Sequence, residues 1–119
     1  MGRITEISLQ QDLVNKINAK QGFSHGLVPV LARYVVGYKT VLQASNPSMK
    51  PRVQSLVERA LNDAPEGAEV FGGWLAEDGT YYVDYSTTHE GLTVALDLAF
   101  MRGELAIWDR IECKEIKVK

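Results

Sequence analysis

The sequence predicts an α+β fold: three N-terminal helices packed with a β-hairpin–helix–two-strand unit whose sheet has three or four strands. Three observations predict it. Apolar residues recur at helical spacing in three stretches before residue 65. After residue 68 the pattern shifts to strands, and Asp78-Gly79 separates two runs rich in Val, Tyr and Trp. A short helical pattern then separates the second run from Ala106-Ile107-Trp108-Asp109. At 119 residues the chain reads as a single domain, with a helical part over 1–65 and a ββαββ part over 68–119.

In the helical part, Ser8 is expected to cap a first helix carrying Leu9, Leu13, Val14 and Ile17 on one side. Gly22 and Gly26 bracket a loop holding Phe23, Ser24 and His25. A second helix is expected from Leu27, with Pro29 in its first turn and a stripe of Leu31, Val35, Tyr38, Val41 and Leu42. Gly37 inside it weakens a helix and implies close helix packing. Asn46-Pro47-Ser48 ends this stretch. Pro51 suits the opening of a third helix, in which Val53, Leu56, Val57, Ala60 and Leu61 form an amphipathic stripe.

In the ββαββ part, a two-residue turn at Asp78-Gly79 would pair Trp74 with Val83 and Gly72 with Tyr85. One hairpin face is then Val70, Gly72, Trp74, Tyr81, Val83 and Tyr85, the expected core, with Tyr85 folded over Gly72. The other is mixed: Phe71, Gly73, Leu75, Tyr82, Asp84 and Ser86. Thr87 and Glu90 have capping-box spacing for a helix buried through Leu92, Leu96, Ala99 and Phe100 and ended by Gly103. A strand over Glu104 to Arg110 is expected parallel to the second hairpin strand, through a right-handed crossover. Lys114 to Val118 suits a charged edge strand.

Composition narrows the function classes. The longest apolar stretch, Leu27 to Tyr38, is broken by Pro29 and Arg33 and is too short to span a membrane. No apolar signal region follows Arg3. Cys113 is the only cysteine, which excludes an internal disulfide and a multi-cysteine zinc site and fits a cytoplasmic protein. The net charge of −2 conceals a split. Residues 1–65 carry eight Lys/Arg against four Asp/Glu, and residues 66–119 five against eleven. Such a split fits two functional faces, head-to-tail self-association into a homo-oligomer, or two solvated halves.

Four constellations bear on chemistry. Tyr82 with Asp84, Ser86 and Gly73 forms an aromatic and acidic patch of the kind protein interfaces use, and it is the expected partner-binding surface. Lys39, Lys50, Arg52 and Arg59 lie on or between the second and third expected helices and would contact nucleic acid in a helix-turn-helix arrangement. A pI of about 5.7 is far from that of a basic binder. Asp84 and Asp109, at neighbouring parallel strand ends with His89 or Glu90 nearby, would suit a divalent cation or acid–base work. His25, His89 and Cys113 match no metal or nucleophile spacing, and no cofactor motif is present.

Gly-Gly-Trp at 72–74, Asp-Gly-Thr-Tyr-Tyr-Val-Asp at 78–84, the helix around Leu92 to Arg102 and Leu-Ala-Ile-Trp-Asp at 105–109 resemble a loose group of small bacteriophage-encoded proteins. The resemblance covers residues 72–109. It brings no catalytic residues and implies an accessory role through binding a host or defence protein. The expected function is therefore a non-catalytic protein-binding module, with nucleic-acid contact or a small metal-dependent enzyme as the alternatives.

Overall fold

The computed structural model describes residues 2–47 and 53–118. In chain order its elements are α1 (Gly2–Asn18), β1 (Phe23–Gly26), β2 (Tyr34–Ala44), α2 (Val53–Asn62), β3 (Val70–Leu75), β4 (Tyr81–His89), α3 (Leu92–Met101), β5 (Ala106–Asp109) and β6 (Lys114–Lys117). The fold is α+β, but its sheet has six strands, all antiparallel to their neighbours, in the order β1-β3-β4-β2-β5-β6. Two expectations are corrected. The sheet is larger than three or four strands, and among the described residues of the first half only α1 and α2 are helical.

The segment expected as the second helix instead supplies β2, and the expected loop at Phe23-Ser24-His25 is the edge strand β1. The reason lies in where β2 sits. It runs between β4 and β5, and Tyr34, Val35, Val36 and Gly37 are buried in succession. A strand covered on both faces loses its alternation and reads as a plain apolar run, which periodicity cannot separate from a helix. Two bulges add to the disguise. Gly37 pairs with Ser86 but Lys39 with Tyr85, and Thr40 pairs with Asp84 but Leu42 with Val83, so Tyr38 and Val41 are extra residues.

The hairpin closes one residue differently from expectation. Ala76 N–H donates to the Thr80 carbonyl, Gly79 N–H donates to the Ala76 carbonyl, and Gly79 has φ +89°. This is a three-residue loop with a left-handed glycine, not a two-residue turn. Trp74 therefore pairs with Tyr82 and Gly72 with Asp84. The faces expected for β3 exchange while those of β4 stand. Phe71, Gly73, Tyr81, Val83 and Tyr85 lie on the helix side; Val70, Gly72, Trp74, Tyr82, Asp84 and Ser86 lie on the other. The glycine beneath aromatic rings is Gly73, where a Cβ would strike the Tyr81 hydroxyl and the Phe23 ring, rather than Gly72 beneath Tyr85.

All three helices cover one face of the sheet. Leu13, Val14 and Ile17 of α1 and Val53, Val57 and Ala60 of α2 form one core with Phe71, Tyr81, Val83 and Tyr85. Ala95 and Ala99 of α3 form a second core with Tyr34, Val36 and Ile107. Phe100, expected in the α3 stripe, is instead exposed. Hydroxyls of β4 tie it to what covers it: Tyr85 Oη donates to the Ala60 carbonyl of α2 at 2.6 Å, and Tyr81 Oη to the Gln21 carbonyl in the α1–β1 connection at 2.7 Å. The expected parallel crossover is also corrected. β4 and β5 are not neighbours, because β2 pairs with both. β4 itself runs on to His89, so α3 starts at Leu92 after Gly91 rather than from a Thr87–Glu90 capping box.

The helix-free face is concave. Edge strands β1 and β6 contribute Ser24 and Glu115 to the same groove, and Lys117 of β6 reaches Glu77 on the β3–β4 loop at 2.5 Å. The bulges in β2 bend the sheet between these two edges, since each extra residue increases local twist and curvature.

Candidate functional site

The concave face holds a groove of about 560 Å³, within the size range of small-ligand sites. β3 and β4 contribute Trp74, Asp84 and Ser86; β2 contributes Val35 and Gly37; β5 contributes Trp108; and Glu104 enters from the α3–β5 connection. Asp84 is 8% exposed. It pairs with Gly72, where a Cβ would press on the Phe23 carbonyl of the neighbouring β1 at 2.9 Å. Trp74 Nε1 donates to Asp84 Oδ2 at 3.3 Å, and the other face of the arrangement is braced by Tyr82, stacked on the Trp74 ring at 5.1 Å and 18°. Burial pushes the Asp84 carboxyl above the usual carboxylate range, partly offset by hydrogen bonds from Thr40 and Trp74.

Glu104 is placed by the end of α3. Gly103, at φ +71°, donates to the Phe100 carbonyl, and Glu104 N–H donates to the Ala99 carbonyl. This Schellman closure turns the chain back over the sheet. The residue following the left-handed glycine often makes an apolar contact with the helix; here it is a glutamate laid over Gly37. Burial raises its carboxyl first, the negative charge of Asp84 raises it further, and Arg102 acts the other way. Arg102 is held close by: its Nη1 donates to the carbonyls of Val36 and Gly37 and to Thr87 Oγ1, and its guanidinium lies over the Tyr38 ring. The carbonyls at the first bulge are thereby partnered.

Of the residues expected to bind a partner, Asp84 and Ser86 line the groove, and Tyr82 acts one step back by stacking on Trp74. Gly73 borders the groove only through its backbone; its Cα side faces Tyr81 and Phe23. Asp84 and Asp109 are not brought together. Asp109 is 1% exposed, accepts two bonds from Arg33 at 3.0 and 2.9 Å, and caps the β5–β6 turn through Ile111 and Glu112 N–H. Among the described residues no three His, Cys, Asp or Glu side chains group as a metal site. The helix-turn-helix arrangement is also absent. Lys39 is exposed on β2, Arg59 lies in the last turn of α2, and Lys50 and Arg52 fall outside the described residues. His25 is on β1, His89 bonds Thr87, and Cys113 is exposed in the β5–β6 turn.

Sequence reasoning missed Trp74, Glu104, Trp108 and Glu115 as groove residues. The signal for Glu104 was present: Gly103 marks a helix end, which places residue 104 on the return path over the sheet. The signal for Trp74 depended on the hairpin loop length. Comparison of the chain with protein-family models, curated proteins and solved structures finds no match. Among the described residues no helix is long and apolar enough to cross a membrane.

Proposed function

We propose that this protein is a non-catalytic binding module and that the concave groove is its binding surface. One observation carries the reading. A curled sheet covered by helices on one face leaves on the other a cavity of ligand size, with apolar walls and a few fixed polar groups around buried Asp84. The resemblance to phage-encoded proteins over residues 72–109 supports an accessory role, since that span supplies Trp74, Asp84, Ser86, Glu104 and Trp108. A cytoplasmic setting accords with a lone, exposed thiol.

The test is a fragment screen by two-dimensional NMR on the full chain. Shifts concentrated on the indole N–H signals of Trp74 and Trp108 and on the amides of Asp84 and Ser86 support the reading. Hits spread over other surfaces, or no hits, refute it.

A second reading, capture of a protein partner, is favoured by a separate observation. Val94, Met101 and Leu105 are each more than half exposed along α3 and the turn after it. Such side chains on one helix suit a protein contact. Met101→Glu would abolish a partner interaction made there and leave groove binding untouched.

A further inference from the structure

We infer that the groove is a site for a small organic cation: an ammonium, amidinium or guanidinium group carried on an apolar body. The inference rests on the binding-module reading and names the chemistry of its ligand. Among the described residues the charged groups of the groove wall are Asp84, Glu104 and Glu115, and no Lys, Arg or His lines it. Arg102, whose charge acts on Glu104, is engaged by the Val36 and Gly37 carbonyls and by Thr87. A carboxylate buried as Asp84 is, with the half-buried Glu104 beside it, is costly to keep charged, and a cation with N–H donors offsets that cost through charge-assisted hydrogen bonds. The walls suit the rest of such a ligand. Val35 and Val70 offer apolar contact, and Trp74 and Trp108 offer indoles, the best ring for a cation.

An anion fits poorly, because among the described residues it would meet three carboxylates and no basic partner. A neutral apolar ligand would fill the walls but bring no positive charge to Asp84 and Glu104. The volume of about 560 Å³ exceeds that of one basic side chain and matches a whole small molecule, so the occupant is a free cation rather than a residue of a protein partner.

The experiment titrates the full chain with benzamidinium and phenethylammonium, and in parallel with neutral benzamide and anionic benzoate. Trp74 and Trp108 are the only tryptophans, so intrinsic fluorescence reports on the groove, with calorimetry as the second readout. The cations are expected to bind about tenfold or more tighter than benzamide, the scale of one charge-assisted contact. Benzoate is expected to show no binding. Glu104→Gln and Glu115→Gln should each weaken cation binding and leave benzamide binding unchanged. Glu115 is exposed on an edge strand, so its variant keeps the test usable if the variant at half-buried Glu104 unfolds. Equal binding of cations and benzamide overturns the cation inference while leaving the binding module intact. Binding of a tri-arginine peptide without the small cations overturns it in favour of a protein partner. Absence of binding by every probe overturns it, and the fragment screen then decides separately whether the groove binds anything.

Discussion

The carboxylate of Glu104 occupies the space that a side chain at residue 37 would need, so that Gly37 and Glu104 fit together only because one of them has no Cβ. Gly37 is buried in β2 opposite Ser86, at the first bulge. Its φ is not left-handed, so an alanine meets no backbone strain. The clash is with the far end of a flexible side chain. Gly37→Ala is therefore expected to fold with stability within about 1 kcal/mol of wild type, because the loss of unfolded-state entropy offsets the local repacking. Glu104 must swing away, and the variant should lose cation affinity to the same extent as Glu104→Gln. Thermal unfolding beside a benzamidinium titration checks both halves; retained affinity would place the Glu104 carboxylate outside the site.

Asp84 makes stability depend on pH in an unusual direction. Its carboxyl is raised by burial, with Thr40 and Trp74 opposing, and Glu104 is raised by burial and by Asp84, with Arg102 opposing. A carboxyl raised in the folded state contributes stability below its unfolded value, and that contribution is lost as pH rises through the folded value. These two groups therefore favour the folded state near pH 4 and oppose it at neutral pH. Asp84→Asn keeps an acceptor for Trp74 and removes the buried charge. It should raise Tm by roughly 2–6 °C at pH 7.5, the shift expected for a change of about 1 kcal/mol in a domain of this size, and confer no gain near pH 4. Scanning calorimetry at the two pH values tests this, and an unchanged Tm at pH 7.5 would show that the carboxylate is compensated in the folded protein.

Asp109 behaves oppositely. Two bonds from Arg33, with turn N–H groups from Glu112 and Ile111, hold its carboxyl down at about 2 against an ordinary 3.8. A depressed carboxyl contributes stability above its unfolded value and loses it as pH falls towards the folded one. Wild type should thus lose stability between about pH 4 and pH 2. Asp109→Asn should be less stable at neutral pH and show a shallower loss over that interval. Acid unfolding followed by circular dichroism distinguishes the two, and parallel curves would remove Asp109 from the acid response.

The same contrast shows what was legible beforehand. α1, α2, α3, β3 and β4 announce themselves because each has one buried face or a turn signal at its end. β2 does not, since its first four residues are buried between two neighbours and its later register is broken by Tyr38 and Val41. Missing β2 also misplaced β5, which pairs with β2 rather than with β4. The shared face of Tyr82, Asp84 and Ser86 was legible because apolar Tyr81, Val83 and Tyr85 alternate with them in the sequence. Trp108 was not legible in the groove, because its place there depends on β2 lying between β5 and β4, whereas Gly103 signalled only that residue 104 follows a helix end.

The hairpin loop offers a test of how the groove acquires its tryptophan. Ala76 and Thr80 are the last paired residues, and Glu77-Asp78-Gly79 form the loop. Deleting Glu77 leaves Asp78-Gly79 as a two-residue connection between the same pair, a sequence that favours the primed turn. The variant should keep Trp74 opposite Tyr82 and Gly72 opposite Asp84, with stability within about 1 kcal/mol of wild type. Gly79→Ala retains the length but places a Cβ at φ +89°, and should cost about 1 kcal/mol or more. Thermal unfolding ranks the two, and the Trp74 indole signal reports the register. If deletion of Glu77 displaced that signal while Gly79→Ala did not, loop length rather than the Ala76–Thr80 pair would control which face of β3 carries Trp74 into the groove.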